Sequence, residues 1–251
     1  MLGLRALLQP TFATPRREDR PARLAGAVDW TPTTKFDREL TLRASSWEPR
    51  RLFEVAPLHG GYIGLATDEH MAVSPSGRWC YVEKVVPRGE RLEIASGKRR
   101  GNVMFDGPAL APALHQWSDW AERWSPEPWM SITPMEMLTL RPGTRKAKGR
   151  VVVAGLGLGH QLVEVSHRRQ VTSLVLVERD AELVEWLVPR LAPHLGMPVE
   201  VIVGDAYKVM PLLTADIALV DIFPRYGGNS WECRRLARNC PHIKATWCWG
   251  A

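Results

Sequence analysis

The chain has 251 residues, enough for one full-sized domain or for a large domain with a small companion. Hydrophobic residues make up 45% and charged residues 24%, which excludes a disordered, collagenous or coiled-coil chain, and no apolar run approaches the ~18 to 20 residues of a membrane span. The net charge of +6 is uneven: 23 basic and 17 acidic residues fall in 1–150, and 10 of each in 151–251.

Residues 1–50 are expected to form an N-terminal extension, partly disordered. Its start, MLGLRALLQPTFATPRREDRPAR, is Arg-rich, and Arg5 and Pro10 break the apolar run too soon for a secretory signal. Glu18 and Asp19 argue against an organelle transit peptide. A frayed, solvated tail and a cytoplasmic location are the expectation.

From 51 to 107 the runs GGYIGLAT, HMAVS, RWCYVEKVV, RLEIA and NVMF are short and rich in β-branched and aromatic residues. Pro75-Ser-Gly77, Pro87-Arg-Gly89 and Ser96-Gly97 punctuate them, which predicts a small antiparallel β domain. Between Ala109 and Trp124, Leu110, Leu114, Trp117, Trp120 and Trp124 recur at threes and fours, which predicts a helix whose tryptophan stripe packs on a neighbour. Thr133-Pro-Met-Glu136 is a helix start, with Thr133 as cap and Pro134 in the first helical position. That short helix should end at Arg141-Pro-Gly143, and a basic linker, Arg145 to Arg150, should follow. Residues 108–150 are thus expected to be a helical connector and linker.

After Arg150 the pattern changes. VVVAGLG, SLVLVE, VEVIVGD and DIALVDIF are nearly continuous apolar runs separated by helical stretches, the signature of parallel strands buried on both faces. HIKATWCWG reads as a fifth strand, after a helix begun at Asn229 with Glu232 in the capping-box position. Cys80 stands alone, and Cys233, Cys240 and Cys248 have His242 among them without a tight Cys-x-x-Cys pair. No metal site is expected, and the thiols are expected to be reduced.

The first of these strands runs into Gly155-Leu-Gly157-Leu-Gly159-His160, a turn that lets the backbone approach a ligand closely. A dinucleotide fingerprint needs glycine at 160, where His160 stands, so a nicotinamide or flavin pyrophosphate fits poorly. The second strand ends in Glu178, placed to accept both ribose hydroxyls of a nucleoside. The third ends in Gly204-Asp205-Ala206, with a carboxylate for an adenine amino group, and the fourth in Asp221. Strand ends are often acidic merely for helix capping, yet four successive ends carry glycine or acid at one edge.

VVVAGLGLGH, LVERDAELVEWL, VEVIVGDAYKVM and ADIALVDIF resemble the four consecutive motifs of class I S-adenosylmethionine-dependent methyltransferases. Val153 and the Met135-Glu-Met-Leu138 segment are similar to the spermidine synthase branch of that superfamily. The resemblance implies an α/β fold: a Rossmann-like parallel sheet over 151–251, C-terminally short, preceded by the small β domain. It implies a cofactor, S-adenosylmethionine, held by Gly155, Gly157, Gly159, Glu178, Asp205 and Ala206, with Asp221 as catalytic base. Tyr226 or Asn229 could orient the substrate, and His160 either touches the cofactor's carboxylate or faces solvent. Two departures stand out: Leu158 occupies the branch's loop aspartate, and Asp221-Ile-Phe-Pro224 lacks the branch's second aspartate. The expected activity is methyl transfer to an unspecified acceptor. The alternatives are aminopropyl transfer to a polyamine from decarboxylated S-adenosylmethionine, or a non-catalytic relic acting as a binding module. The acceptor is expected to be a small molecule or an amine-bearing group. A nucleic acid is permitted by the basic first region, a homodimer is allowed, and no membrane partner is expected.

Overall fold

The computed structural model describes residues 5–8, 28–31, 38–96, 99–224 and 226–251. The chain divides into two compact units, one of Thr11–Val73 with Gly77–Leu138, the other of Met1–Pro10, Ser74–Ser76 and Thr139–Ala251. Strand β1 (Arg5–Leu8) belongs to the second unit. The first is built from β2 (Glu39–Leu42), β3 (Leu58–His59), β4 (Met71–Val73), β5 (Trp79–Val86), β6 (Leu92–Ser96), β7 (Arg99–Phe105), β8 (Ala109–Ser118), β9 (Arg123–Trp124) and β10 (Met130–Ser131). These form a three-stranded sheet, β2-β7-β6, and a second sheet ordered β10-β8-β5-β3, with β4 on β5 and β9 on β8. Pairing is mainly antiparallel; β2–β7 and β3–β5 are parallel.

The segment expected to be helical from Ala109 is β8. It pairs with the whole of β5, from Trp79 opposite Gln116 to Val86 opposite Ala109. Pro112 weighs against a helix without forbidding one so near its first turn, and the eight-pair ladder with β5 decides the outcome. Strand β5, buried along most of its length, is that partner. Trp117 and Trp124 therefore meet across β8 and β9, ring centroids 5.2 Å apart, while Trp120 on the turn between them is 96% exposed. No tryptophan stripe forms.

Helix α1 (Pro134–Lys146) starts as expected, with Thr133 Oγ1 accepting from the Glu136 amide at 3.3 Å. It runs past Arg141-Pro-Gly143, and Arg145 and Lys146 lie in its last turn rather than in a linker. Two contacts sustain it there. Gly143 leaves room for the Trp247 indole, which a Cβ would overlap, and the Arg168 guanidinium donates to the carbonyls of Arg145 and Ala147 at 2.8 and 3.0 Å.

The second unit continues with β11 (Gly149–Ala154), α2 (His160–Ser166), β12 (Val171–Glu178), α3 (Ala181–Leu191), β13 (Val199–Val203), α4 (Ala206–Val209), β14 (Ile217–Val220), α5 (Ser230–Arg238) and β15 (Thr246–Cys248). The sheet order is β1-β13-β12-β11-β14-β15, with β11 to β15 all parallel. Taking the parallel strands in chain order, this is 3-2-1-4-5, the Rossmann arrangement. The fold is therefore α/β, a Rossmann-like parallel sheet accompanied by a small β domain. Val151 to Ala154 and Ile217 to Val220 are buried throughout, as central strands covered on both faces require.

Residues 5–8, expected in a frayed tail, instead pair antiparallel with β13, Arg5 opposite Ile202 and Leu8 opposite Val199. They cover an edge whose backbone groups would otherwise be open. The remaining tail positions, 1–4, 9–27 and 32–37, lie outside the described residues. Helix α5 folds back over the sheet through Leu236, and Cys233 is bonded to Cys248 of β15, Cα atoms 6.1 Å apart. The expectation of reduced thiols is corrected for this pair, which the α5–β15 turn brings together across 15 residues of sequence. Cys80 and Cys240 are free and buried. No described helix is long and apolar enough to cross a membrane.

Candidate functional site

The order of the sheet reverses at β11, which lies between β12 and β14, and the carboxyl ends at such a switch point are where sheets of this type hold ligands. Backbone hydrogen bonds continue the ladder to that edge. Asp221 donates to the Ala154 carbonyl at 2.8 Å, Gly155 to Val177 at 2.9 Å and Gly204 to Glu178 at 2.8 Å. The strand ends singled out in the sequence thus form one row.

Each glycine of the turn has positive φ: +96° at Gly155, +50° at Gly157 and +73° at Gly159. At Gly155 the requirement is double, because a Cβ would also overlap the Asp221 carbonyl oxygen. At Gly159, the N-cap of α2, a Cβ would strike Leu191. Leu156 and Leu158 between them are buried and anchor the turn to the core. Leu158 is therefore a packing residue, and this turn offers no carboxylate. His160 is buried at the start of α2, so it does not face solvent.

Glu178 accepts the Leu156 amide at 2.7 Å on one oxygen and the Asp180 amide at 2.9 Å on the other. Burial pushes its carboxyl upward, while backbone donors at Asp180, Leu156 and Arg179 pull it down. With three backbone donors on its two oxygens, the carboxylate keeps about one of its roughly four lone-pair sites for a ligand hydroxyl. Asp205 caps α4, its Oδ1 accepting from the Tyr207 amide at 2.9 Å. Ala206 is buried in the core with Val177, Met210 and Val220.

Asp221 differs from these. Its carboxyl makes no hydrogen bond or ion pair among the described residues, and burial raises it from 3.8 to about 7. A desolvated acid without a partner at a strand end has the form of a proton acceptor working near neutral pH. Tyr226 and Asn229 are engaged with Trp249, directly after β15: the Tyr226 ring packs edge-on against its indole at 5.0 Å, and Asn229 Nδ2 donates to its carbonyl at 3.3 Å. Arg225 lies outside the described residues.

Sequence reasoning missed Gln161. It is 5% exposed in the first turn of α2, directly after the glycine turn, and both its amide nitrogen and its oxygen lack a partner among the described residues. Such a pair costs free energy unless something else completes it. A polar residue beside a glycine turn gives no sign in the sequence that it will be buried. The donor set fits an adenosyl amino acid: acceptors for a ribose hydroxyl and an adenine amine, close backbone approach, and an orphaned amide that can both give and accept.

No protein-family model matches the sequence, and no curated protein matches it. Among solved structures, the chain is similar to precorrin 8w decarboxylase of Methanobacterium thermoautotrophicum, at 26% identity over 40% of this chain and 52% of that one, TM-score 0.31. It is similar to a dimethyladenosine transferase from Plasmodium falciparum at 18% identity, covering 46% and 42%, TM-score 0.35. It is also similar to spermidine synthase from Thermotoga maritima at 14% identity, covering 70% and 59%, TM-score 0.35. The chain thus spans about half the length of these proteins. Likenesses of this extent leave strand order and register to define the fold.

Proposed function

We propose that the chain binds S-adenosylmethionine at the carboxyl edge and catalyses transfer of its methyl group to an acceptor. The observation that carries the reading is the row of strand ends, where a glycine turn, a carboxylate with a spare lone pair and a partnerless acid meet. Glu178 would hold a ribose hydroxyl, Asp205 the adenine amine, and Gln161 the amino-acid end, while Gly155, Gly157 and Gly159 allow the close approach. Bound there, S-adenosylmethionine supplies a methyl group already activated on a cationic sulfonium. What remains for the chain is to align the acceptor and to remove a proton. Asp221 removes it, since near neutral pH its carboxylate can take the proton from an acceptor nitrogen. Transfer to a polyamine fits less well, because Leu158 is committed to the core and Asp221 is the one acid between β14 and α5.

Calorimetric titration with S-adenosylmethionine and with its demethylated product tests the reading. Wild type should bind both, and Glu178→Ala should weaken binding by on the order of 1.5–3 kcal/mol. Unchanged affinity in that variant would put the ligand elsewhere. No binding by a folded wild type would leave the chain as a relic of this fold.

A further inference from the structure

Helix α5 turns an unusual face outward. Trp231, Arg234, Arg235 and Arg238 stand at i, i+3, i+4 and i+7, one stripe of an α-helix, and all four are exposed. The opposite stripe does the packing, with Leu236 fully buried and Cys233 bonded to β15. None of the three arginines is paired with a carboxylate among the described residues. Like charges at helical spacing repel, and only Glu232, three residues before Arg235 on the same helix, offsets the stripe from within α5.

The aromatic part is equally specific. The Arg235 guanidinium lies over the Trp231 ring at 5.2 Å and over the Tyr207 ring at 5.1 Å. Trp231 is nevertheless 54% exposed, so much of its ring surface remains open. Tyr207 follows closely on Asp205, whose carboxylate caps its amide. The stripe therefore begins at the carboxyl edge of the sheet and runs away from it along α5, about 10 Å from Trp231 to Arg238 at the rise of an α-helix.

We propose that this stripe is a docking surface for single-stranded nucleic acid. Phosphates supply the negative charge that Arg234 and Arg238 lack, and an unstacked base supplies the flat partner that the open Trp231 ring accepts. Arg235, held against two rings, offers its remaining N–H groups to the same strand. A small neutral acceptor would use none of these features, and a duplex would offer Trp231 no open base. That the strand is also the acceptor rests on the methyl-transfer reading; its docking does not.

Fluorescence anisotropy of a labelled oligouridylate of about twelve nucleotides, and of its deoxy counterpart, tests the surface in the full chain without adenosyl ligand, which keeps the outcome independent of the calorimetry. Wild type should bind at about 50 mM salt and weaken as salt rises. The double variant Arg234→Gln with Arg238→Gln should flatten the log–log salt slope by about 1.4, at roughly 0.7 per lost contact. Trp231→Ala should weaken binding on the order of tenfold, and Trp231→Phe should restore most of it. All the substituted side chains are exposed, and circular dichroism melts verify that the variants fold. A preference for either oligonucleotide identifies which nucleic acid the surface serves, and equal binding assigns it to both. Failure of wild type to bind, or wild-type binding in both the arginine and the alanine variants, overturns the proposal. Loss in the arginine variant with none in Trp231→Ala also overturns it, since only unspecific attraction to a polyanion would remain.

Discussion

Replacing Asp221 by Asn should stabilise the chain, and by more as the pH rises. Burial lifts this carboxyl from 3.8 to about 7, with nothing among the described residues to compensate its charge. Between about pH 4 and 7 the folded state keeps a proton that the unfolded state has released, so stability falls as pH rises through that window and is level above it. The gap between 3.8 and about 7 corresponds to about 4 kcal/mol at its upper end, a ceiling because the side chain is only half-buried. Asn keeps the size and hydrogen-bonding reach without the charge, so its unfolding free energy should lack this slope. Urea unfolding of both proteins from about pH 5 to 8 should show the variant's advantage growing by up to about 1.4 kcal/mol per pH unit, then levelling. If Asp221 merely capped the following loop, the substitution would lower stability instead. A difference that does not change with pH would refute the desolvated carboxyl. On the proposed reading, turnover should fall by roughly 10² to 10⁴-fold in the same variant while adenosyl affinity changes little, since the variant would remove the base and leave the binding row.

Gly155→Ala should cost at least about 2 kcal/mol in urea unfolding, from the left-handed backbone and the overlap with the Asp221 carbonyl together; wild-type stability would mean that β14 can withdraw freely. Gln161→Leu should raise stability without ligand by about 1–3 kcal/mol while weakening adenosyl binding, and unchanged ligand affinity would place the amide outside the site. Replacing Cys233 and Cys248 together by Ser opens a loop of 15 residues and should cost about 3 kcal/mol; a loss below about 1 kcal/mol would show that packing through Leu236 alone holds α5.

The parallel sheet was legible in the sequence because burial on both faces forces unbroken apolar runs, and nothing else in 151–251 competes with them. The positions of the glycine turn and of the strand-end acids were legible for a related reason, since the apolar runs stop there. Helical spacing misled between Ala109 and Trp124 because three tryptophans matched it by chance, while one residue, Pro112, carried the contrary information. The extent of α1 was hidden because its support comes from Trp247 and Arg168, far along the chain. The Cys233–Cys248 pairing and the burial of Gln161 depend on how α5 and α2 settle on the sheet, which no local pattern encodes.

A comparison of two acids, one fully buried and one half-buried, separates packing from function. Glu83, in the β unit, is fully buried, yet Arg51 meets both its oxygens at 2.8 and 2.9 Å and the Tyr81 hydroxyl donates at 2.9 Å. It is a completed network that ties residue 51 to β5, and removing one member would strand the others. Asp221 has no such company. Within the same edge, Gln161 is orphaned at both amide atoms and Gly155 holds a backbone conformation that side chains avoid. The Asp221 carboxyl and the Gln161 amide flank the same glycine turn without partners among the described residues, whereas Glu83 is fully partnered. On the proposed reading, a ligand that brings hydroxyls, an amine and a positive charge would give both groups partners.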